Sequence, residues 1–192
     1  MGFLSIISFA HQLVKERLCP GDTAVDATIG NGHDTLFLCR LTGVAGHVYG
    51  TDIQPEAVAN TRARLQSGGI EESRFTLWQA DHARLSELLP PQVHGSVAAV
   101  MFNLGYLPGG DHGTVTAADT TITALTAAIG TLRPGGVITA VVYPGHPGGG
   151  EEAEAVANWA AALPQDRYQS LQYRFMNQRN APPYVIAVEK RG

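Results

Sequence analysis

The sequence predicts an α/β fold with a seven-stranded, mainly parallel sheet and helices on both faces, and three observations lead to this prediction. Apolar runs alternate with segments of helical spacing along most of the 192 residues, as in parallel strands joined by right-handed crossovers. A glycine turn at 26–35 joins the first apolar run to the first crossover helix. Two strands, predicted over 169–176 and 184–189 and antiparallel to each other, follow five strand–helix units.

Each element has its own signal in the chain. Apolar residues at helical spacing predict an amphipathic helix over 3–18, which ends in the turn at 19–22. The continuous apolar run at 96–102 predicts a strand that is buried on both faces. A chain of this length is expected to form one domain, 1–192. The other strands are predicted over 23–25, 47–53, 74–78 and 137–142, and the other helices begin at 36 and 54 or cover 83–89, 114–132 and 151–163.

The composition narrows the classes of function. A net charge of −4 and an isoelectric point near 5.9 argue against broad, charge-driven adhesion to nucleic acid. Cys19 and Cys39 form no C-x-x-C pair and the histidines lack ligand spacing, so we expect no disulfide and no metal site. No apolar run reaches the length of a membrane span, and the apolar N-terminus lacks the basic flank of a signal peptide. We therefore expect a protein of the reducing cytoplasm that does not bind membranes.

The glycine turn predicts a nucleotide-binding loop and discriminates between cofactors. Gly30 and Gly32 let the backbone turn tightly and approach a ligand, and Asp26 at the strand end can hold the loop or accept a bond from the ligand. A dinucleotide fingerprint reads G-x-G-x-x-G/A, and its last glycine would fall on Thr35. The spacing therefore argues against a nicotinamide dinucleotide.

Two acidic residues follow the next strands. Asp52 ends the second predicted strand, and an acid at this distance from the glycine turn can accept bonds from both ribose hydroxyls. It could instead cap the helix that follows, but the distance favours the ribose role. Asp81 follows the third strand and could either bind the adenine amino group or cap the next helix; these two interpretations weigh nearly equally.

Polar, glycine-rich segments follow the fourth and fifth strands. Asn103 and Tyr106 come directly after the buried run at 96–102, and His146 lies just beyond the fifth strand. Ligands of open α/β sheets bind beyond the carboxyl ends of the strands, so these side chains are expected near the glycine turn. An imidazole there can accept a proton near neutral pH, although His146 could also be an ordinary loop residue.

These motifs resemble those of class I S-adenosylmethionine-dependent methyltransferases, a Rossmann-like fold with five βα units and two closing strands. The turn from Asp26 to Gly32 is similar to their first motif, Asp/Glu-x-Gly-x-Gly-x-Gly, with Thr28 in place of the first glycine. Asn103-Leu-Gly-Tyr106 is similar to the Asn/Asp-Pro-Pro-Tyr motif of enzymes that methylate amino nitrogens, without its prolines. The resemblance implies S-adenosylmethionine as cofactor, held by Asp26, Thr28, Gly30, Asn31, Gly32, Asp34, Thr35, Asp52, Gln54, Asp81, His82 and Asn103.

A closer resemblance covers nearly the whole chain. The segments 26–35, 103–111 and Tyr143-Pro-Gly-His-Pro-Gly-Gly149 resemble those of the small bacterial proteins long labelled as rRNA methylases, whose members are linked to wobble-uridine modification in tRNA. The resemblance implies methylation of the amine of 5-aminomethyl-2-thiouridine to give 5-methylaminomethyl-2-thiouridine. Asn103 and Tyr106 would orient the amine nitrogen and His146 would accept its proton. Asp111 and His112 are further candidates.

The implied partner is tRNA, held by its anticodon stem-loop. The basic residues concentrate late in the chain, and Arg174 and Arg179 could contact phosphates. We expect Phe3, Ile6, Ile7 and Ala10 of the N-terminal helix to pack against the sheet or a partner, and a homodimer through this helix is an additional expectation. Three alternatives stay open at this stage: an rRNA or small-molecule methyltransferase, a nucleotide-dependent oxidoreductase, and a cofactor- or RNA-binding module without catalysis.

Overall fold

The sheet is the centre of the fold. The computed structural model describes residues 2–105 and 116–192. The strands are β1 (Thr23–Asp26), β2 (His47–Asp52), β3 (Phe75–Gln79), β4 (Val97–Asn103), β5 (Leu132–Val142), β6 (Tyr168–Tyr173) and β7 (Tyr184–Lys190). They form one seven-stranded sheet in the order β3-β2-β1-β4-β5-β7-β6. Strand β7 runs antiparallel to both of its neighbours, and the other pairs are parallel. The predicted fold class is therefore confirmed.

Helices cover both faces of this sheet. They are α1 (Ile6–Lys15), α2 (His33–Thr42), α3 (Pro55–Ser67), α4 (Leu85–Leu88), α5 (Ala118–Thr131) and α6 (Gly149–Ala161). On one face Val14, Leu38 and Leu65, from α1, α2 and α3, pack in one cluster with Met101 of β4. On the other face the helices α4, α5 and α6 pack against Phe102 and its neighbours. Strand β4 is thus buried on both faces, as its continuous apolar run predicts.

Several element boundaries differ from the predictions by a few residues, and two of these differences have clear local reasons. The helix predicted over 83–89 is shorter, since a 3-10 turn at His82–Arg84 precedes α4. Leu89 is extended because Pro90 follows it, and the residue before a proline avoids helical backbone angles. Strand β5 begins at Leu132, earlier than the predicted residue 137, because Leu132 pairs with Val97 across a register shift.

Helix α1 packs on the sheet, as predicted, but its start differs. Ile6 and Ala10 are buried against Val141 of β5 and Val185 of β7. The helix begins at Ile6 rather than at Phe3, because the Ser5 side chain caps it by accepting a hydrogen bond from the Ser8 amide. Phe3 lies outside the helix and is 87% exposed, so it does not pack on the sheet, and its packing against a partner stays a prediction. The homodimer through this helix stays a prediction.

No helix within residues 2–105 and 116–192 is long and apolar enough to cross a membrane.

We expect Ile6→Ala to lower the free energy of unfolding by about 2 kcal/mol, because it leaves a cavity under α1. Phe3→Ala should change it by no more than about 0.5 kcal/mol, because the removed ring is exposed. Chemical denaturation of both variants measures the difference. A loss from Phe3→Ala as large as that from Ile6→Ala would contradict this placement of the N-terminus.

Candidate active site

A cavity of about 640 Å³ lies where the carboxyl ends of β1, β2, β4 and β5 meet. Its volume suits a ligand the size of a nucleoside with a short side chain. Most of the residues that the sequence singles out line this cavity: Thr28, Gly30, Asn31, Asp34, Asp52, Gln54, Asp81, His82, Asn103 and His146. Parallel strands bring residues from distant parts of the chain to one edge because their carboxyl ends all point the same way.

Asp26 and Thr35 lie behind the cavity wall and hold the glycine turn in shape. The Asp26 carboxylate accepts hydrogen bonds from the Thr28 amide at 3.2 Å and from the Thr35 hydroxyl at 2.6 Å. Burial raises the pKa of Asp26 to about 7, and the nearby charge of Asp34 adds to the effect. Of the two roles open to Asp26 in the sequence, the structure favours holding the loop over contacting a ligand.

Gly32 also lies outside the cavity lining and is required by the backbone. It caps the N-terminus of α2 with a φ of 78°, in the left-handed region that favours glycine. A Cβ at Gly32 would come within 2.9 Å of the Thr61 Cα on helix α3. Thr61 in turn donates its hydroxyl hydrogen to the Gly30 carbonyl at 3.0 Å. The glycine turn is therefore pressed against α3, and neither partner can shift easily.

Asp52 links the glycine turn to the end of β2. Its Oδ2 accepts a hydrogen bond from the Gly30 amide and its Oδ1 accepts one from the Gln54 amide, both at 3.0 Å. Gln54, rather than Asp52, is the N-cap residue of α3. Each carboxylate oxygen keeps a second lone pair, so Asp52 can still accept two hydrogen bonds from a ligand in the cavity.

Asp81 and His82 form the next part of the wall. Asp81 caps the 3-10 turn by accepting a hydrogen bond from the Ala83 amide at 2.8 Å through Oδ1. Oδ2 is the second acceptor of this cavity-lining side chain, so capping and ligand binding are compatible. His82 is 92% buried, since its relative exposure is 8%. Its ring bonds the Ala27 backbone, and burial lowers its pKa, partly opposed by the charges of Asp81 and Glu152.

The Nε2 atom of His82 has no hydrogen-bond partner within the described part of the chain. A neutral ring that donates from Nδ1 presents Nε2 as an acceptor. Together with Asp52 and Asp81, it makes this side of the cavity rich in acceptors. An adenosine group offers hydrogen-bond donors on its ribose hydroxyls and its amino group, so the residues present fit such a ligand.

The ends of β4 and β5 form the opposite side of the cavity. The backbone amide of Asn103 donates a hydrogen bond to the Thr28 hydroxyl at 2.7 Å, which joins this side of the cavity to the glycine turn. The Nδ1 atom of His146 lies 2.9 Å from the Pro147 carbonyl, which can only accept, so Nδ1 is the donor and a neutral ring has its lone pair on Nε2. This Nε2 atom is buried, and a Cβ at Gly105 would lie only 3.7 Å from it. Tyr106, Asp111 and His112 lie outside the described residues.

The cavity also has walls that the sequence reasoning missed. Ile7 and His11 of α1 line it. Tyr143, directly after β5, also lines it, together with Thr116 and Thr120 near the start of α5. His11 bonds the Asp34 carboxylate at 2.7 Å, and its ring stacks on Phe37 at a centroid distance of 4.0 Å. The spacing of Ile7 and His11 shows that they share a helix face, but only the packing of α1 on the sheet brings that face to the cavity.

The sheet order and the acceptor-rich cavity at its carboxyl edge define a class I S-adenosylmethionine-dependent methyltransferase. A family described as "Putative rRNA methylase" matches residues 48–189, and the chain belongs to this family.

Similarity to known proteins along nearly the whole of this chain agrees with this assignment. A chloroplastic tRNA (mnm(5)s(2)U34)-methyltransferase of Arabidopsis thaliana is 38% identical over 94% of this chain and 68% of that protein. The crystal structure of a "putative rRNA-methylase" from Clostridium thermocellum is 40% identical, with a TM-score of 0.94 over 99% of this chain and all of that one. A "putative methyltransferase" from Streptococcus mutans, crystallised with SAH, is 32% identical, with a TM-score of 0.87 over 98% and 99% of the two chains.

We expect Gly149→Ala to displace the His146 ring and to lower the rate of methyl transfer by about 100-fold, the order expected when a reacting group moves by 1 Å. A Cβ at Gly149 would lie 2.8 Å from His146 Nε2 and 2.3 Å from the Tyr143 carbonyl oxygen. Gly150→Ala is the matched control, because its Cβ would meet nothing closer than the Pro144 carbonyl oxygen at 4.0 Å.

Single-turnover rates and calorimetric affinity for S-adenosylhomocysteine should be measured on both variants. The affinity should stay near the wild-type value in each. A Gly149→Ala enzyme as fast as Gly150→Ala would show that the position of His146 does not matter for the reaction.

Proposed function

We propose that the protein methylates the wobble uridine of tRNA, converting 5-aminomethyl-2-thiouridine to 5-methylaminomethyl-2-thiouridine. The observation that carries this proposal is the likeness along 94% of the chain to the plant methyltransferase, whose name states both the tRNA and the modified uridine. The cavity supports it, since acceptors for a nucleoside line one side and Asn103 and His146 line the other.

The cofactor would lie along the side of the cavity formed by the first three strand ends. Asp52 would accept hydrogen bonds from the ribose hydroxyls, and Asp81 would accept one from the adenine amino group. Gln54 and His82 would lie beside them. Thr28, Gly30, Asn31, Asp34 and Asn103 would line the remainder, while Asp26, Gly32 and Thr35 keep the loop in shape from behind. S-adenosylmethionine supplies an activated methyl group when it is bound.

The reaction needs the substrate amine in its neutral form. An alkylamine of the lysine type has a pKa of about 10.4, so most of it is protonated at neutral pH and has no lone pair for a new N–C bond. Transfer into a buried site lowers the pKa of an amine because desolvation disfavours the charged form. The side chains at the β4 and β5 ends have to complete the loss of the proton.

His146 and Asn103 suit this task. The bond from His146 Nδ1 to Pro147 leaves the lone pair on Nε2, which can take the proton from the substrate ammonium. The side-chain carbonyl of Asn103 can accept a hydrogen bond from the same nitrogen and so direct its lone pair. Tyr106, whose structure lies outside the described residues, is proposed to orient the nitrogen from the other side.

The loop between β6 and β7 is proposed to bind the tRNA. This loop, 174–183, contains Arg174 and Arg179 and no acidic residue, in a chain whose net charge is −4. Both arginines are exposed, and the Arg174 guanidinium lies 5.5 Å from the centre of the Tyr184 ring. This loop adjoins the His146 segment, because a Cβ at Gly145 would lie 3.4 Å from the Ala181 carbonyl oxygen. Arginine contacts to phosphates would position the anticodon stem-loop without selecting the base.

This proposal places the enzyme in the cytoplasm, where its two thiols stay reduced. Cys19 and Cys39 are both unpaired.

We expect Asp52→Ala to weaken the binding of S-adenosylhomocysteine by about 1–3 kcal/mol, because ligand donors lose their acceptors. Glu56→Ala is the matched control, since it removes an exposed carboxylate from the start of α3, outside the cavity lining. Isothermal titration calorimetry gives both affinities, and thermal melts check that each variant is folded. Equal affinity in the two variants would remove Asp52 from the cofactor site, and tight binding of a nicotinamide dinucleotide would reject the cofactor class.

Purified enzyme with labelled S-adenosylmethionine should transfer label to tRNA that carries the aminomethyl uridine. His146→Ala and Asn103→Ala should slow this transfer by about 100-fold or more, as for the loss of a general base or of a positioning group. His94→Ala is the control, because His94 is exposed and lies outside the cavity lining.

Nucleoside mass spectrometry identifies the labelled product. Label on rRNA, on unmodified tRNA or on a small molecule, with none on the aminomethyl form, would reject the substrate and keep the enzyme class.

A further inference from the structure

Glu152 is a buried acidic residue that the proposed reaction does not use. It lies in α6 with a relative exposure of 2%. Its Oε1 accepts a hydrogen bond from the Thr121 hydroxyl at 2.6 Å, and its Oε2 accepts one from the Thr116 hydroxyl at 2.8 Å. Within the described residues it has no ion pair with a lysine, arginine or histidine. Burial of a carboxylate without a cation is unfavourable, so an apolar side chain would fill this space at lower cost.

The hydrogen bond from Thr116 to Glu152 continues into the active site. The Gly105 amide donates to the Thr116 hydroxyl oxygen at 2.8 Å, so the hydroxyl hydrogen is left to point at Glu152. The Thr116 amide donates to the Gly105 carbonyl at 2.9 Å. Gly105 and Thr116 are therefore joined by two hydrogen bonds, one donated by each backbone amide. The bond from Thr116 to Glu152 connects this pair to α6.

The same helix start also holds His146. The Gly149 amide donates to the His146 carbonyl at 2.9 Å, and the Glu152 amide donates to the Gly148 carbonyl at 3.1 Å. Gly105 lies near the His146 ring, because a Cβ at this position would be 3.7 Å from Nε2. The relay from Gly105 through Thr116 to Glu152 thus joins the loop after β4 to the loop after β5, the two loops that carry the proposed catalytic groups.

We propose that Glu152 is a positioning residue that acts through Thr116 to set the distance between these two loops. Asn103, two residues before Gly105, and His146, six residues before Glu152, would then face the substrate nitrogen from fixed places. The inference rests on the proposed methyl transfer for the identity of the reacting groups. The hydrogen-bond relay itself can be tested without any substrate.

The experiment compares the two threonines that share the carboxylate. Thr116→Val removes the hydroxyl that bonds both the Gly105 amide and Glu152, whereas Thr121→Val removes a hydroxyl that, among residues 2–105 and 116–192, bonds only Glu152. Each variant loses one hydroxyl bond to the same acid, and Thr116→Val also leaves the Gly105 amide without its acceptor, so Thr116→Val should lose more thermal stability than Thr121→Val. Thr116→Val and Glu152→Ala should lower kcat for methyl transfer by about 100-fold, and Thr121→Val should leave it near the wild-type value. The Kd of S-adenosylhomocysteine should change little in any of them.

Glu152→Gln tests whether the hydrogen bond or the charge matters. The amide oxygen of glutamine can accept from Thr116, while its NH2 group donates to the Thr121 oxygen. The proposal therefore expects Glu152→Gln to restore most of the activity that Glu152→Ala loses. An inactive Glu152→Gln enzyme with normal stability would overturn the relay and assign the role to the negative charge.

Hydrogen exchange at the Gly105 amide provides the readout that needs no substrate. Thr116→Val and Glu152→Ala should speed this exchange, and Thr121→Val and Glu152→Gln should not. If the wild-type enzyme fails to methylate the aminomethyl tRNA but the exchange pattern holds, the proposed function fails and the relay stands. Equal exchange or equal kcat in Thr116→Val and Thr121→Val would reject the positioning role.

Discussion

The Asp52 carboxylate is the contact on which the proposed cofactor side of this cavity depends. It holds the amides of Gly30 and Gln54, and so it sets the glycine turn and the start of α3 relative to the end of β2. Two of its lone pairs are used by the protein and two remain for a ligand. Asp26 also accepts two hydrogen bonds from the turn region, but it is buried, and both of its oxygens bond residues of the protein. Asp26 therefore only shapes the turn, whereas Asp52 both shapes the turn and faces the cavity.

The opposite side of the cavity, which is proposed to receive the substrate amine, has a different physical basis. Two glycines lie near the His146 ring: a Cβ at Gly149 would come within 2.8 Å of Nε2 and force movement, whereas a Cβ at Gly105 would be in ordinary contact at 3.7 Å. A histidine held this closely keeps one tautomer and one direction, which a proton acceptor requires. The loop that ends at Gly105 and the helix that begins at Gly149 are joined through Thr116 and Glu152. Close packing and one buried relay thus replace the rigid prolines of the amino-methylating motif that this chain resembles.

Much of the fold and part of the site could be predicted from local sequence. Apolar runs with helical segments between them were sufficient for the strand number and the mainly parallel sheet. The residues that directly follow strands could be assigned to the cavity edge, because the carboxyl ends of parallel strands coincide. The separation of Asp26 from the cavity could not be predicted, since a residue at a strand end can point either into the site or into the core. The exposure of Phe3 was missed because apolar spacing alone does not show where a helix is capped.

The sequence by itself determined the class of fold, the glycine turn and the polar strand ends, because these depend on backbone conformation and on the alternation of neighbouring residues. Only the tertiary structure decided which helix faces complete the cavity and which buried acid connects its loops. His11 reaches Asp34, and Glu152 reaches Thr116, across 23 and 36 residues of chain. Contacts at such separations arise from the packing of whole helices on the sheet, and no local pattern in the chain specifies them.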